Sequence, residues 1–463
     1  MKKTAIWGGV AGVVASVIVV GGSVWSGSVS QHRLQNEWGH LEKVLPLKIS
    51  EAAYERGIFS SKYTFKIHAG CDQDAAVNSP ALTVRQRIQH GPVPGFTSLG
   101  RVAIDTEIDT PSELRTLLKN GAEASTLIKA HTLLNLLGGG VTQISTAALE
   151  FEEQNKKTQL SVKALLLQIR HAANGQIHYE LNWPGMSAVS REEGAAGNMN
   201  IDALSVRGET RFDENNPLGF VMDTSSSELK SLMVLGHVHG NQTKIAFSNI
   251  KTDSKTSLEN GLFNNVSHLD AQASINNTPI PKLRLNTSFK RIHAGTYAQI
   301  LQTIFHPGML CGSVTGLEAW AVQGEAIMAA GAALLTHNPE FSVDALELDM
   351  DGLSGKMAYA FGVQGLTAED LNGSAGPLFG EAVARKAYAS GHIEIPTPWL
   401  EKIMVDATPT RQAQDQAMLE AMITQAIDEG YVKREGQMLS SQFKMENGVL
   451  KVNDKSMGPF LGL

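Results

Sequence analysis

Two histidines two residues apart, His237 and His239, are this sequence's nearest approach to a metal-binding pair. In an extended strand, residues i and i+2 project from one face, so both imidazoles can reach a single Zn²⁺. Gly236 and Gly240 flank the pair and favour a loop, and no third ligand can be named, although zinc sites take three or four protein ligands. Ser227-Glu228-Leu229-Lys230 fits Ser-x-x-Lys, in which a lysine activates a serine, but its Ser-Asp-Asn and Lys-Thr-Gly companions are missing. Asp349-Met350-Asp351-Gly352 opens like a Ca²⁺ loop, yet the later ligand positions do not follow and a turn accounts for it. Neither Gly-x-Ser-x-Gly nor His-Glu-x-x-His occurs. No catalytic residue and no cofactor is therefore assigned, and His237 and His239 stand as weak metal candidates.

The elements that must carry these residues are mostly strands. Tyr63, Phe65 and Ile67 alternate with Thr64 and Lys66, Leu82 to Ile88 reads as a second strand ending at His90-Gly91-Pro92, and Val102, Ile104 and Ile108 carry a third. Pro111 near a first turn starts a short helix from Ser112 to Lys119. Ala124 to Leu137 reads as an apolar helix stopped by Gly138-Gly139-Gly140. Asn174-Gly175 sits between two strand-like runs, the pattern of a hairpin. Further strands are expected at 204–212, 244–250, 269–275, 283–292, 341–349, 356–363 and 386–395. Because apolar positions alternate there with Thr, Asn, Lys and Asp, the sheets are expected to be antiparallel with one wet face. Helices are expected at 297–305 and 317–335. Leu419, Met422, Ile423, Ala426 and Ile427 draw the stripe of another, and Met418, Met422 and Met328 read as ordinary helix core. A last hairpin turns at Asn447-Gly448. Arg56-Gly57, between extended runs, reads as a turn in which Gly supplies positive φ and Arg faces solvent or caps a carbonyl.

With 463 residues, 42% hydrophobic and 18% charged, the chain can bury a large core. Its net charge of −7, without a block of like charges, excludes nucleic acid as an expected partner, since phosphate binding needs clustered Lys and Arg. Lys2 and Lys3 precede a charge-free run from Thr4 to Ser30. That run exceeds a signal-peptide core and lacks an Ala-x-Ala site, so it reads as an uncleaved transmembrane helix with the bulk of the chain outside the cytoplasm. Leu34, Trp38, Leu41 and Leu45 then mark a juxtamembrane helix that Pro46 stops. Cys71 and Cys311 would lie in an oxidising space, where a disulfide between them and two buried free thiols both stay open.

Several stretches are spread in order along the chain: Tyr54-Glu55-Arg56-Gly57-Ile58-Phe59-Ser60-Ser61, His90-Gly91-Pro92-Val93-Pro94, Asn249-Ile250-Lys251-Thr252-Asp253 and Asn447-Gly448-Val449-Leu450-Lys451-Val452-Asn453. With the charged-then-apolar N-terminus, they give a chain that resembles the YdgA-like family of bacterial inner-membrane proteins, a domain of unknown function. The Arg-Gly-(apolar)-Phe-Ser-Ser step is also similar to AsmA-like envelope proteins, whose β-rich grooves are associated with lipid handling. The resemblance implies an inner-membrane location and a homodimer, and it transfers no catalytic residue. Arg56, Gly57, Phe59, Ser60, His90, Gly91 and Pro92 enter as motif positions of unknown role.

The expectation is an α+β protein: an N-terminal transmembrane helix followed by curved antiparallel β-sheets with helices packed on them. Its parts are the Lys pair and anchor (1–30), a juxtamembrane helix (31–46), a β-rich region (47–310) and an α+β C-terminal region (311–463). The expected function is non-enzymatic binding of a lipid or another envelope protein along a β-rich surface in the periplasm. The alternatives are a hydrolase of an envelope component and a scaffold dimerising through Leu34 to Leu45.

Overall fold

A computed structural model describes residues 47–69, 81–94, 99–121, 125–152, 157–191, 196–212, 220–238, 241–276, 278–304, 317–371, 381–400 and 412–459. The chain divides into two compact units. The first comprises the chain up to Asn215 with Ser227–Gln242 and Leu301–Gly324, and the second Asn216–Ser226, Thr243–Ile300 and Glu325–Leu463.

The first unit is an antiparallel meander. β1 (Leu47–Arg56), β2 (Ser60–Ala69), β3 (Leu82–His90), β4 (Val102–Asp109), β5 (Thr126–Leu134) and β6 (Gly140–Thr146) pair in sequence order. β7 (Leu149–Glu152) and β8 (Thr158–Val162) form a hairpin, and β9 (Leu166–His171) returns to pair with β6. The long β10 (Gln176–Ser190) pairs with β8 and β9 along one edge and with β11 (Gly197–Phe212) along the other. Period-two alternation puts Tyr63, Phe65, Val84, Ile88, Ile104, Ile128, Ile144 and Leu167 on one face, where they form a closed core. Phe65, Val84 and Ile88 are 0% exposed, and each such side chain stabilises the fold by about 1.5–3 kcal/mol. The short helix α1 (Ser112–Leu117) follows β4, as its Pro-led start predicts.

β12 (Phe220–Val238) contributes residues to both units. The second unit continues with β13 (Asn241–Glu259), β14 (Leu262–Ile275), β15 (Thr278–His293), β16 (Glu340–Met350), β17 (Leu353–Val363) and β18 (Ala387–Pro396), antiparallel in that order. β19 (Lys433–Glu435), β20 (Met438–Glu446), β21 (Val449–Val452) and β22 (Lys455–Pro459) close the chain, with β20 against β18. The helices α2 (Ala294–Ile304) and α3 (Leu317–Leu335) contribute residues to both units, and α4 (Glu381–Lys386) and α5 (Gln412–Asp428) belong to the second. Large apolar side chains are buried in this second unit at Ile280, Val343, Val363, Leu366, Trp399, Ile423 and Leu439, each 4–8% exposed, alongside Ala271, Ala294, Ala298 and Ala332.

The expected α+β class is corrected. Among the described residues the fold is mostly antiparallel β-sheet, and no helix is long and apolar enough to cross a membrane. The anchor and juxtamembrane helix expected at 1–46 lie outside the described residues. Part of the error is local: the apolar run at 124–137, read as a helix, is strand β5, with Leu127, Ile128 and Leu134 buried. A short run apolar on both faces does not separate helix from strand by periodicity.

Candidate functional site

Four hairpin connections of the first unit lie at one end of its sheet, because β1, β3, β5 and β9 all run towards that end. Two of the motif stretches meet there. His90 N–H donates to the Phe59 carbonyl at 2.9 Å, and Ser61 Oγ lies 3.0 Å from His90 Nε2. Gly91 N–H donates to the Arg101 carbonyl at 2.9 Å and Gly100 N–H to the Pro92 carbonyl at 3.0 Å. A Cβ on Gly91 would stand 2.3 Å from the Gly100 oxygen, so only glycine fits. Gly57 does not take the positive φ expected of it; its turn needs glycine because a Cβ would meet the Ser60 oxygen at 2.3 Å. Arg56, Ser60 and Pro92 are exposed, and Ser61 is 1% exposed. A serine buried that deeply cannot reach a substrate, and no carboxylate orients His90 among the described residues, so this pair is a structural clamp.

The wet face of the same sheet holds a concavity of about 720 Å³ lined by Lys62, Arg85, Arg87, Asp105, Lys129 and His131, among others. Cross-strand register places Lys62 opposite Arg87, Arg87 opposite Asp105 and Asp105 opposite His131. Arg85 is neutralised by Asp109 at 2.6 Å and Glu107 at 3.3 Å, and His131 meets Asp105 at 2.7 Å. Pairs this exposed contribute at most about 1 kcal/mol each.

Of the other sequence candidates, Ser227 and Lys230 sit three apart on strand β12, which sends them to opposite faces. Lys230 instead meets Asp202 at 2.8 Å; that bond holds the ammonium above its usual range, the reverse of what a general base needs. His237 is the next-to-last residue of β12, with its side chain undescribed, and His239, Cys71 and Cys311 lie outside the described residues. Among the described residues no cluster of three or more His, Cys, Asp or Glu is arranged for a metal ion. Asp351 and Gly352 take φ of 54° and 78° in the β16–β17 turn, and Asp349 accepts from Ser354 Oγ at 2.7 Å. Met418 and Met422 are 51% and 60% exposed, not core; Ile423 carries the buried side of α5. Met328 is half-buried.

In the second unit, alternation along β15 and β16 sorts side chains into two contrasting faces. On one, Lys282 and Arg284 reach Glu347, and Arg284 also bonds Asp270 at 2.8 Å. Glu340 sits at the end of that face, taking Lys290 Nζ at 2.8 Å and the Tyr388 hydroxyl at 2.6 Å. The Lys290 hydrogen bond, then that of Tyr388, lowers its pKa to about 2 against the opposing effect of burial. Gly362 makes this reach possible, since a Cβ there would stand 2.7 Å from the Tyr388 hydroxyl oxygen. A concavity of about 900 Å³ is lined by Ser342, Asp344, Ser390, His392, Gln442 and Lys444, with small residues such as Ala358 and Ala360 between them.

The opposite face is apolar. Register aligns Phe289, Phe341, Phe361, Ala389, Met445 and Leu450 in one row across β15, β16, β17, β18, β20 and β21. Beside it runs a second row, Thr287, Val343, Tyr359, Gly391, Phe443 and Val452. Ring centroids of Phe289 and Phe341 lie 4.8 Å apart and those of Phe341 and Phe361 5.1 Å, tilted as aromatic pairs prefer. Phe361 is 51% exposed, Phe289 41% and Phe443 37%. At about 4.8 Å between strands, the row is about 24 Å long, more than the ~15 Å of hydrocarbon in one leaflet of a bilayer. Sequence reading missed these residues: each strand was found, but which side chains stand opposite one another depends on non-local register.

Comparison with curated proteins and with solved structures found no match to this chain. Residues 1–459 match the model of a family described as bacterial protein of unknown function (DUF945), and the chain belongs to that family.

Proposed function

We propose that this is a non-enzymatic binding protein of the bacterial cell envelope, placed outside the cytoplasm at the inner membrane, that holds an acyl chain of a lipid along the apolar rows of its second unit. The observation that carries the reading is the Phe289–Phe341–Phe361 row, whose two outer rings are 41% and 51% exposed in the full-length fold. Apolar side chains aligned across six strands, with Phe289 and Phe361 left half-open, form a contiguous patch of the kind that marks an interaction surface. Their straight course and length suit a flexible hydrocarbon chain, which needs contact area and no hydrogen bonds. The address rests on the Lys2-Lys3 pair and the charge-free run from Thr4 to Ser30 that follows it.

The hydrolase reading finds no comparable support. The Ser61–His90 and Ser50–His68 contacts lack an orienting carboxylate among the described residues, and His68 Nδ1 has no hydrogen-bond partner. The test is titration of the detergent-extracted full-length protein with a fluorescent long-chain fatty acid. Saturable binding that unlabelled phospholipid displaces, weakened about tenfold or more by Phe361→Glu or Phe289→Glu, is expected from the loss of roughly one buried ring. Absence of saturable binding, or equal binding by the variants, overturns the proposal.

A further inference from the structure

At the converging end of the first unit, the turns carry apolar side chains where turn chemistry favours Asn, Asp, Ser or Gly. Ile58 and Phe59, in the β1–β2 turn, are 87% and 73% exposed. Val93 and Leu99, in the β3–β4 connection, are 39% and 75% exposed, and Leu136 and Leu137, in the β5–β6 turn, 59% and 87%. The described residues of these three neighbouring loops are held in place. His90 N–H to the Phe59 carbonyl ties the first to the second, and Arg101 N–H to the Leu134 carbonyl, at 2.8 Å, ties the second to the third. Asn135 fixes the third from within: its Oδ1 accepts the Leu137 and Gly139 N–H groups at 3.0 Å each, and its own N–H donates to the Gly139 carbonyl. Pro94, fully buried, pins the second loop beneath its exposed neighbours.

Six large apolar side chains presented this rigidly to water have a cost that loop sequences readily avoid. The loops from 57 to 60, 91 to 101 and 135 to 139 contain no Asp or Glu, while Arg56 and Arg101, both exposed, stand directly behind the tips. Glu55 is the nearest acid in the chain and lies across from Lys62 in the β1–β2 register. Apolar tips backed by arginines match the layering of a membrane surface, with hydrocarbon below and anionic headgroups above it. We infer that this end of the first unit is a membrane-docking edge, inserting Ile58, Phe59, Leu99, Leu136 and Leu137 into the interface of a bilayer containing anionic phospholipid.

The inference does not depend on acyl binding by the second unit, and its test has a separate readout. In full-length protein with Cys71→Ala and Cys311→Ala, an environment-sensitive fluorophore is placed at Leu137→Cys, Ile58→Cys or, as a control at the other end of the sheet, Ser125→Cys. Each protein is reconstituted into vesicles of phosphatidylethanolamine and phosphatidylglycerol carrying spin-labelled phospholipid. Probes at positions 137 and 58 are expected to shift to the blue and be quenched by the labelled lipid, the probe at 125 to stay aqueous, and quenching to weaken in pure phosphatidylcholine. Leu136→Ser with Phe59→Ser is expected to reduce the quenching of a probe at 58 about tenfold. Equal aqueous accessibility at all three positions overturns the inference. So does protection of the tips that rises with protein concentration in the absence of lipid quenching, because that assigns the edge to a second copy of the chain.

Discussion

His171 shows what one buried side chain imposes on the first unit. It is 5% exposed at the end of β9, beside Gly140, where a Cβ would come within 2.6 Å of the ring. Burial disfavours the imidazolium and lowers the pKa to about 4 from an ordinary 6.5. Because the folded protein takes up the proton less readily than the unfolded chain, this contribution is fully present above pH 6.5. It is lost as the pH falls towards 4, by about 3 kcal/mol at about 1.4 kcal/mol per pKa unit. Urea unfolding followed between pH 7 and 4 is expected to show that loss in the wild type and a shallower one in His171→Gln; parallel curves would remove His171 as the cause. Nothing in the sequence marks this histidine, since its burial comes from β6 and β10 pairing on either side of its strand.

At the scale of elements, turns and neighbouring strands were legible because their causes are local. Gly175 takes φ of 83° at the Asn174-Gly175 turn, and Asn447 and Gly448 take 53° and 73°, the left-handed pair that a tight hairpin requires. The terminal hairpin and the strands at 341–349 and 356–363 therefore fell where alternation and turn residues put them. What local pattern could not supply was the role of glycines in the sheet interior. Gly391 is small because the Phe443 ring crosses it: a Cβ would lie 2.3 Å from that ring and 3.0 Å from the Tyr359 Cβ. Gly391→Ala is expected to cost about 1–3 kcal/mol by overpacking. Gly324→Ala, in α3 with open space around the added carbon, is expected to gain about 0.5–1 kcal/mol from helix propensity. Thermal unfolding of the two variants should move in opposite directions, and a shift of the same sign in both would contradict the assigned packing.

For the whole molecule, the short ordered motifs pointed to a bacterial family of unknown function, which the family match supports without the YdgA-like name or the AsmA-like similarity, and the antiparallel strands were readable from their alternation. The weight given to helices was not correct: the apolar run at 124–137 holds strand β5, whose Lys129 and His131 face water, and apolar residues at positions of both parities hid its period of two. The candidate surface was invisible for a related reason. Phe289, Phe341 and Phe361 are separated by tens of residues, and only the pairing of β15 with β16 and β17 brings them into one line. Two of the four sequence motifs, 54–61 and 90–94, by contrast, gather at the loop end of the first unit, where they shape turns. The two units thus differ in a consequential way: the first closes its apolar face into a core, and the second leaves one partly open. Native mass spectrometry of the protein, isolated from its own cells in mild detergent, tests most directly whether a lipid occupies that open face. Lipid is expected to be retained at a fixed ratio to the chain and lost in Phe361→Glu; wild-type protein that emerges free of lipid, or a variant that keeps it, would overturn lipid binding by this face.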